Sequence, residues 1–282
     1  MISAWAVVGL VVGKHQSRPW IVSDELCSLI KPLLPEPGPK LVEGRPRVPD
    51  RQALCGILFV LHTGIQWDYL PQELGFGSGM TCWRRLAAWT EAGVWEALHL
   101  VLLKKLRAAG KLDWVRTVID SPRAGRSAGP KSGPSPVDRG RPGSKHHVLT
   151  DGQGIPLAVS LTGGNPNDVT QLLPLLDKVP AVASVVGRPR HRPDALLADR
   201  GYDHDKYRRL LWARGIRPVI AERDTEHGSG LGIFRYVVER TIAWLHSFRR
   251  LRIRWERRDD FHEAFLGLTT CLITNRHVQR LC

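Results

Sequence analysis

Two apolar runs of strand length end on aspartate: VRTVIDS at 115–121, which carries Asp120, and ALLAD at 195–199, which closes on Asp199. An unbroken series of β-branched and apolar residues suits a strand buried on both faces. A carboxylate at the end of such a strand is a poor structural choice, since an unpaired buried charge costs several kcal/mol. It needs a cation, a hydrogen-bond cage or a metal ion. The chain is therefore limited to folds that offer both strand ends such a partner.

The surrounding pattern narrows the choice. Residues 145–150 and 155–161 predict two strands joined at Asp151-Gly152, a hairpin turn signal. A loop rich in Gly, Pro, Ser and basic residues fills 122–144. Asp168 is expected to cap a helix over 169–178. A strand at 195–198, a helix at 204–214 and a strand at 217–221 follow. A long helix from 233 to about 251 and a last one from 261 to about 281 end the chain. Three strands in meander followed by alternating elements predict a mixed α/β, ribonuclease-H-like sheet flanked by helices. In that layout the first and fourth strands lie side by side, so Asp120 and Asp199 meet at one edge.

Residues 20–112 read differently, as a small all-helical domain. Ser23 or Asp24 caps a short first helix, and a Pro/Gly linker spans 35–49. Asp50 opens a run with Leu54, Ile57, Leu58 and Leu61 at helical spacing, stopping near Gly64. Thr81 is the expected N-cap of a helix through Ala92, and 94–109 forms another that closes on Gly110. Two readings of the third helix stay open. In a helix–turn–helix, Trp83, Arg84 and Arg85 face DNA; otherwise the tryptophans are core and the arginines a solvated face. Residues 1–19 are expected to be an extension or a mis-assigned start. The apolar stretch at 4–12 is too short to cross a membrane and lacks the basic residue that precedes a signal peptide. The expected division is 1–19, 20–112 and 113–282.

Charge points to a polyanionic partner. The net charge is +14 and the pI about 10.1, with +3 in residues 1–113 and +11 in 114–282. No apolar run is long enough for a membrane helix. The five cysteines form no Cys-x-x-Cys pair, which argues against structural zinc and for reduced thiols in a cytoplasmic setting.

The long helix carries a third carboxylate. Its apolar stripe runs through Phe234, Val238, Ile242, Leu245 and Phe248, and Glu239 sits at the border of that stripe, in line with Arg235. With Asp120 and Asp199 it makes an all-oxygen set suited to hard divalent cations, two of them about 3.5–4 Å apart. Each carboxylate also has a structural alternative. Asp199 can cap the next turn, Glu239 can pair with Arg235, and Asp120 can cap its loop. Beyond this helix Arg249, Arg250, Arg252, Arg254, Arg257 and Arg258 alternate with Leu251, Ile253 and Trp255, a pattern that fits a phosphate track or a solvated face. Arg139, Arg141, Lys145, His146 and His147 are weaker candidates, the adjacent histidines pointing to opposite sides of their strand.

Five stretches carry a resemblance to a known family: GILFVLHTGIQWDYLP at 56–71, TCWRRL at 81–86, GPSPVDRGRPGSKHHVLTD at 133–151, ALLADRGYD at 195–203, and RYVVERTIAWLHSFRRLRIRWERR at 235–258. From about Trp20 onward the chain resembles the insertion-sequence-five transposases, bacterial members of the DDE group. The resemblance implies a ribonuclease-H-like catalytic domain with Asp120, Asp199 and Glu239 as the acidic triad. It also implies a helical N-terminal DNA-binding region, which favours the helix–turn–helix reading. Mg²⁺ is the implied cofactor, for which Mn²⁺ can substitute. The implied partner is double-stranded DNA, as terminal inverted repeats and target, bound by a homodimer on paired ends at the bacterial nucleoid. Arg235 and Glu239 match the Arg-x-x-x-Glu part of the family signature; Gly232 and His246 stand where it has Tyr and Lys. After Asp120, where relatives continue Ser-Ser-His, this chain reads Ser121-Pro122-Arg123. Proline fixes φ and lacks an N–H, so a displaced strand end and a weakened or silent DNA-binding remnant are the alternative. A general nuclease with the same metal site is a third reading.

Overall fold

The computed structural model describes residues 18–36, 38, 46–125, 129–136, 138–185, 187–223 and 232–282. Most of the expected N-terminal extension, residues 1–17, lies outside them. Ser23 starts α1 (Asp24–Ile30) by accepting a hydrogen bond from the Leu26 amide at 3.2 Å. The apolar face read at 54–61 is buried in α2 (Asp50–Thr63), which Gly64 ends with φ at 74°. Ser78, not Thr81, caps α3 (Gly79–Glu91), because its hydroxyl accepts from the Thr81 amide at 3.2 Å. Gly93 then turns the chain into α4 (Val94–Ala108).

The sheet region opens with β1 (Arg116–Asp120), and β2 (Arg123–Ala124), β3 (Gly133–Pro134), β4 (Pro142–Asp151) and β5 (Pro156–Gly163) follow. A 3-10 turn, Asp168–Gln171, leads into α5 (Leu172–Asp177). Asn167 caps this turn; Asp168 instead pairs with Lys145 at 2.7 Å. Next come β6 (Ala195–Ala198), α6 (Asp205–Ala213), β7 (Arg217–Ile220), α7 (Gly232–Ser247), α8 (Arg249–Arg252) and α9 (Asp259–Leu281). The helix expected over 233–251 is thus broken at Phe248, whose fully buried ring takes an extended backbone with ψ at 113°.

β4 pairs antiparallel with both β1 and β5, and β1–β6 and β6–β7 are parallel. This is the expected mixed sheet with the first and fourth long strands adjacent. Alternation along the strands divides the core. Val118, Val148 and Leu197 face a cluster with α7 and α9, whereas Ile119, Leu149, Leu196 and Ala198 face one with Leu172, Leu175 and Leu211. The first cluster also contains Leu58, Trp89, Trp95 and Leu98, so the N-terminal helices share a core with the sheet region. Trp67 stacks on Phe265 with ring centroids 5.8 Å apart, and Trp83 on Phe261 at 4.4 Å.

Two buried groups hold the sheet to its helices. Asp151 accepts from the amides of Gln153 and Ile155 at 2.9 and 2.8 Å and from Asp113 at 3.0 Å. Burial pushes its carboxyl up to about 6 despite those bonds. Gly154, at φ 91°, then lets α7 approach the hairpin, where Thr241 Oγ1 donates to its carbonyl at 2.6 Å.

Candidate active site

β1 and β6 run in parallel register, Val118 opposite Leu197, which places Asp120 and Asp199 at matching positions past their common end. Both share the side of Val118 and Leu197, the side covered by α7, because side chains alternate along a strand. Glu239 is on α7, next to the fully buried Val238, but its side chain is about half exposed at 53%. Burial pushes the Asp120 carboxyl above its ordinary value; the Ser121 amide and Arg235 oppose that shift, and Asp199 and Glu239 add to it. The three carboxylates therefore occupy one electrostatic neighbourhood.

Each one also has a protein partner. Asp120 Oδ1 accepts from the Ser121 amide at 2.8 Å, Asp199 Oδ1 caps the turn Arg200–Tyr202 through the Gly201 amide at 2.9 Å, and Glu239 pairs with Arg235 at 2.9 Å. Among the described residues no three His, Cys, Asp or Glu side chains are arranged around one ion position. The donor chemistry nonetheless suits a hard divalent cation: all ligands are oxygen, and Asp120 carries a repulsion that a cation relieves. Glu239 is the least committed, since an ion pair as exposed as its bond to Arg235 contributes at most about 1 kcal/mol.

The break feared at Pro122 is absent. Asp120 faces Val148 and Arg123 faces Lys145, three steps along each strand, so no residue is inserted and the register runs unchanged from β1 into β2. The Pro122 carbonyl accepts from the His146 amide at 2.9 Å. Proline costs this ladder one donor and does not redirect the strand.

The arginines divide. Arg85 is buried, paired with Asp50 and donating to the Val48 carbonyl at 3.1 Å, and Trp83 stacks on Phe261 with the Arg258 guanidinium beside both rings. The expectation that these two face DNA is corrected: α3 spends them on packing, and only Arg84 of the three is exposed. Arg250 and Arg254 are likewise corrected. Arg250 donates to Glu256 and to the carbonyls of Gly64 and Ile65, and Arg254 to the carbonyls of Glu256 and Lys131 and to Ser144 Oγ. Past α8 the usual polarity is inverted, with Arg254 and Glu256 turned inward and Ile253 and Trp255 outward. Arg235, Arg249, Arg252, Arg257 and Arg258 are exposed, Arg258 paired with Asp260. Arg249 and Arg252, three apart on α8, share a face.

Of the weaker candidates, Arg139 and Arg141 are exposed, and Lys145, His146 and His147 are buried. As alternation requires, the histidines point apart. His146 meets His262 at 2.8 Å and His246 at 3.4 Å; His147 meets Ser121 at 2.6 Å and Thr162 at 2.7 Å.

The comparisons with known proteins decide the family. The family model described as "Transposase DDE domain" matches residues 115–274, more than half of the chain. The chain belongs to the DDE transposase family. A second model, "Putative transposase of IS4/5 family (DUF4096)", matches 22–99. A Burkholderia cepacia protein described as "Putative transposase for insertion sequence element IS402" is 63% identical over 158 residues, 56% of this chain and 74% of that one. An uncharacterized 16.2 kDa protein of IS402 from the same organism is 55% identical over 103 residues, 36% of this chain and 70% of its own length. A chain from the crystal structure of a pre-cleavage Mos1 transpososome is 12% identical, covers 86% of this chain and 82% of its own, and has a TM-score of 0.26, too low to build on. This chain is thus an insertion-sequence transposase with a ribonuclease-H-like domain, from a family that depends on divalent metal. Among the described residues no helix is long and apolar enough to cross a membrane.

The sequence offers His147 only as a weaker candidate and gives Ser121 and Tyr202 no role, although the three meet beneath the carboxylates. Ser121 follows Asp120 and Tyr202 lies three residues after Asp199, yet no spacing links either to His147. Their meeting is a product of the sheet.

Proposed function

We propose that this transposase cuts DNA at the ends of its own insertion sequence and joins them to a target, with Asp120, Asp199 and Glu239 holding Mg²⁺ (or Mn²⁺). The observation that carries this reading is the matched position of Asp120 and Asp199 at the ends of two parallel strands beneath the helix that bears Glu239. Held by these carboxylates, a divalent ion would supply the chemistry that activates a water or a DNA 3′-hydroxyl and stabilises the departing oxygen. Asp120 and Asp199 supply the ligands fixed to the sheet. Glu239 joins them by leaving Arg235, and the released guanidinium is then positioned to hold a phosphate beside the reacting one. Arg84, Arg249, Arg252, Arg257 and Arg258 bind flanking backbone phosphates of terminal inverted repeats and target. Two copies act on paired ends at the nucleoid.

The test uses a plasmid carrying both ends of the element, a target DNA and Mg²⁺. Excision followed by insertion supports the proposal. Cutting without preference for the ends identifies a general nuclease, and binding without cutting in either metal identifies a silent remnant.

A further inference from the structure

Directly beneath the carboxylates, on the opposite face of the sheet, a chain of polar side chains spans four elements. Ser121 Oγ lies 2.6 Å from both His147 Nδ1 and the Tyr202 hydroxyl. His147 Nε2 lies 2.7 Å from Thr162 Oγ1, which donates to the Gly163 carbonyl at 3.1 Å. Ser121 follows β1, His147 is on β4, Thr162 on β5, and Tyr202 in the turn capped by Asp199. His147 and Tyr202 are buried.

The inventory of donors fixes the direction of this chain. Thr162 spends its hydroxyl hydrogen on the Gly163 carbonyl, so its oxygen accepts from His147 Nε2–H. His147 is then the tautomer with a bare Nδ1, which accepts from Ser121. Ser121 Oγ in turn accepts from the Tyr202 hydroxyl. Every member donates once, and the order runs Tyr202, Ser121, His147, Thr162, Gly163 with the histidine neutral. Burial keeps it so by lowering His147 to about 4.

This chain is bonded to both aspartates. The Ser121 amide donates to Asp120 Oδ1 at 2.8 Å, and the Tyr202 amide donates to the Asp199 carbonyl at 3.1 Å. The bond from Tyr202 to Ser121 therefore ties the residue after Asp120 to the turn that starts at Asp199. The β1–β6 register runs from Arg116 opposite Ala195 to Val118 opposite Leu197, and past it this polar tie joins the two carboxylate-bearing ends.

We propose that Ser121, His147 and Tyr202 are positioning residues that set the separation of Asp120 and Asp199 and so the fit of the divalent ion between them. They touch neither DNA nor ion. The proposal rests on the reading of Asp120 and Asp199 as metal ligands. Outer-sphere partners of metal ligands typically change affinity or activity by about 10–100-fold when removed.

The experiment measures Mn²⁺ binding to the full-length protein by electron paramagnetic resonance, with thermal midpoints recorded in parallel. Tyr202→Phe keeps the ring and removes the donor to Ser121; Thr162→Val keeps the shape and releases His147. Tyr202→Phe is expected to weaken Mn²⁺ by about tenfold and to raise by a similar factor the Mg²⁺ needed for half-maximal cleavage, with a midpoint close to wild type. Thr162→Val is expected to act in the same direction, more weakly. Unchanged Mn²⁺ affinity in both, while Asp199→Ala abolishes binding, overturns the positioning role and leaves the metal site standing. Full Mn²⁺ binding by Asp120→Ala and Asp199→Ala overturns the underlying reading and this one with it.

Discussion

Asp120 is held in a place that disfavours its charge, with desolvation first and then Asp199 and Glu239 raising its carboxyl. An acid raised in the folded state contributes its full stability below its unfolded value and loses it as pH rises from there through the raised value. Asp120→Asn removes that buried charge without changing shape. Its expected result is loss of DNA cleavage with a thermal midpoint equal to wild type or higher, the usual sign of a group placed for function. A clear fall in the midpoint would mean that the carboxylate is a structural cap. Arg235 is expected to behave differently. Arg235→Ala should leave stability within about 0.5 kcal/mol, since its ion pair is exposed, and should lower DNA affinity in a filter-binding assay.

At the scale of elements, the turn from α7 through α8 separates inward-packed from exposed arginines. Arg250 and Glu256 are buried together, their side chains 5% and 6% exposed, and the same guanidinium holds the carbonyls that end α2. Arg250→Ala strands a buried carboxylate and is expected to cost about 3–5 kcal/mol by chemical denaturation. Arg252→Ala should cost almost nothing there and instead reduce the salt dependence of DNA binding by about one unit of slope. Equal stability losses in the two would refute the division. The sequence could not make this distinction. Six arginines in ten residues read as one charged segment, and nothing local signals that Phe248 breaks the helix and turns Arg250 and Arg254 inward. The strand ends were legible for the opposite reason: apolar runs closing on Asp120 and Asp199 are a local pattern with a physical cost attached. His147 was visible only as one of two adjacent histidines, and nothing tied it to Ser121 and Tyr202, because hydroxyls and imidazoles on separate elements have no periodicity to betray their meeting.

For the whole molecule, the shared core is the main departure from what 20–112 and 113–282 suggest when read separately. Trp89 and Trp95 are buried in the same cluster as Val118, Leu197 and Phe265. Residues 113–282 produced alone would expose the α4-facing side of α9, and are expected to aggregate or to melt well below the full chain. Acid should also be felt globally. Burial lowers His99 and His147 to about 4 and His262 to about 3, and burial with its histidine neighbours lowers His146 well below its ordinary value. These histidines take up protons near 6.5 when unfolded and resist doing so when folded. Stability from them is complete above about 6.5 and falls as pH drops toward 4. Asp151, raised to about 6, and Asp120, also raised, act in the opposite direction, but His62, His246 and His277 are lowered too, so the histidines outnumber the acids. The thermal midpoint is expected to decline steadily from pH 7 to pH 5, and a flat profile would contradict the buried, neutral histidines.

The measurement closest to the central claim is cleavage of an end-labelled DNA fragment bearing one terminus of the element, with wild type and Asp199→Ala side by side in Mg²⁺ and in EDTA. The account predicts a discrete cut at the terminus by wild type in Mg²⁺ alone, with Asp199→Ala still binding the fragment but leaving it whole. A cut of equal yield by Asp199→Ala, or by wild type in EDTA, would contradict it.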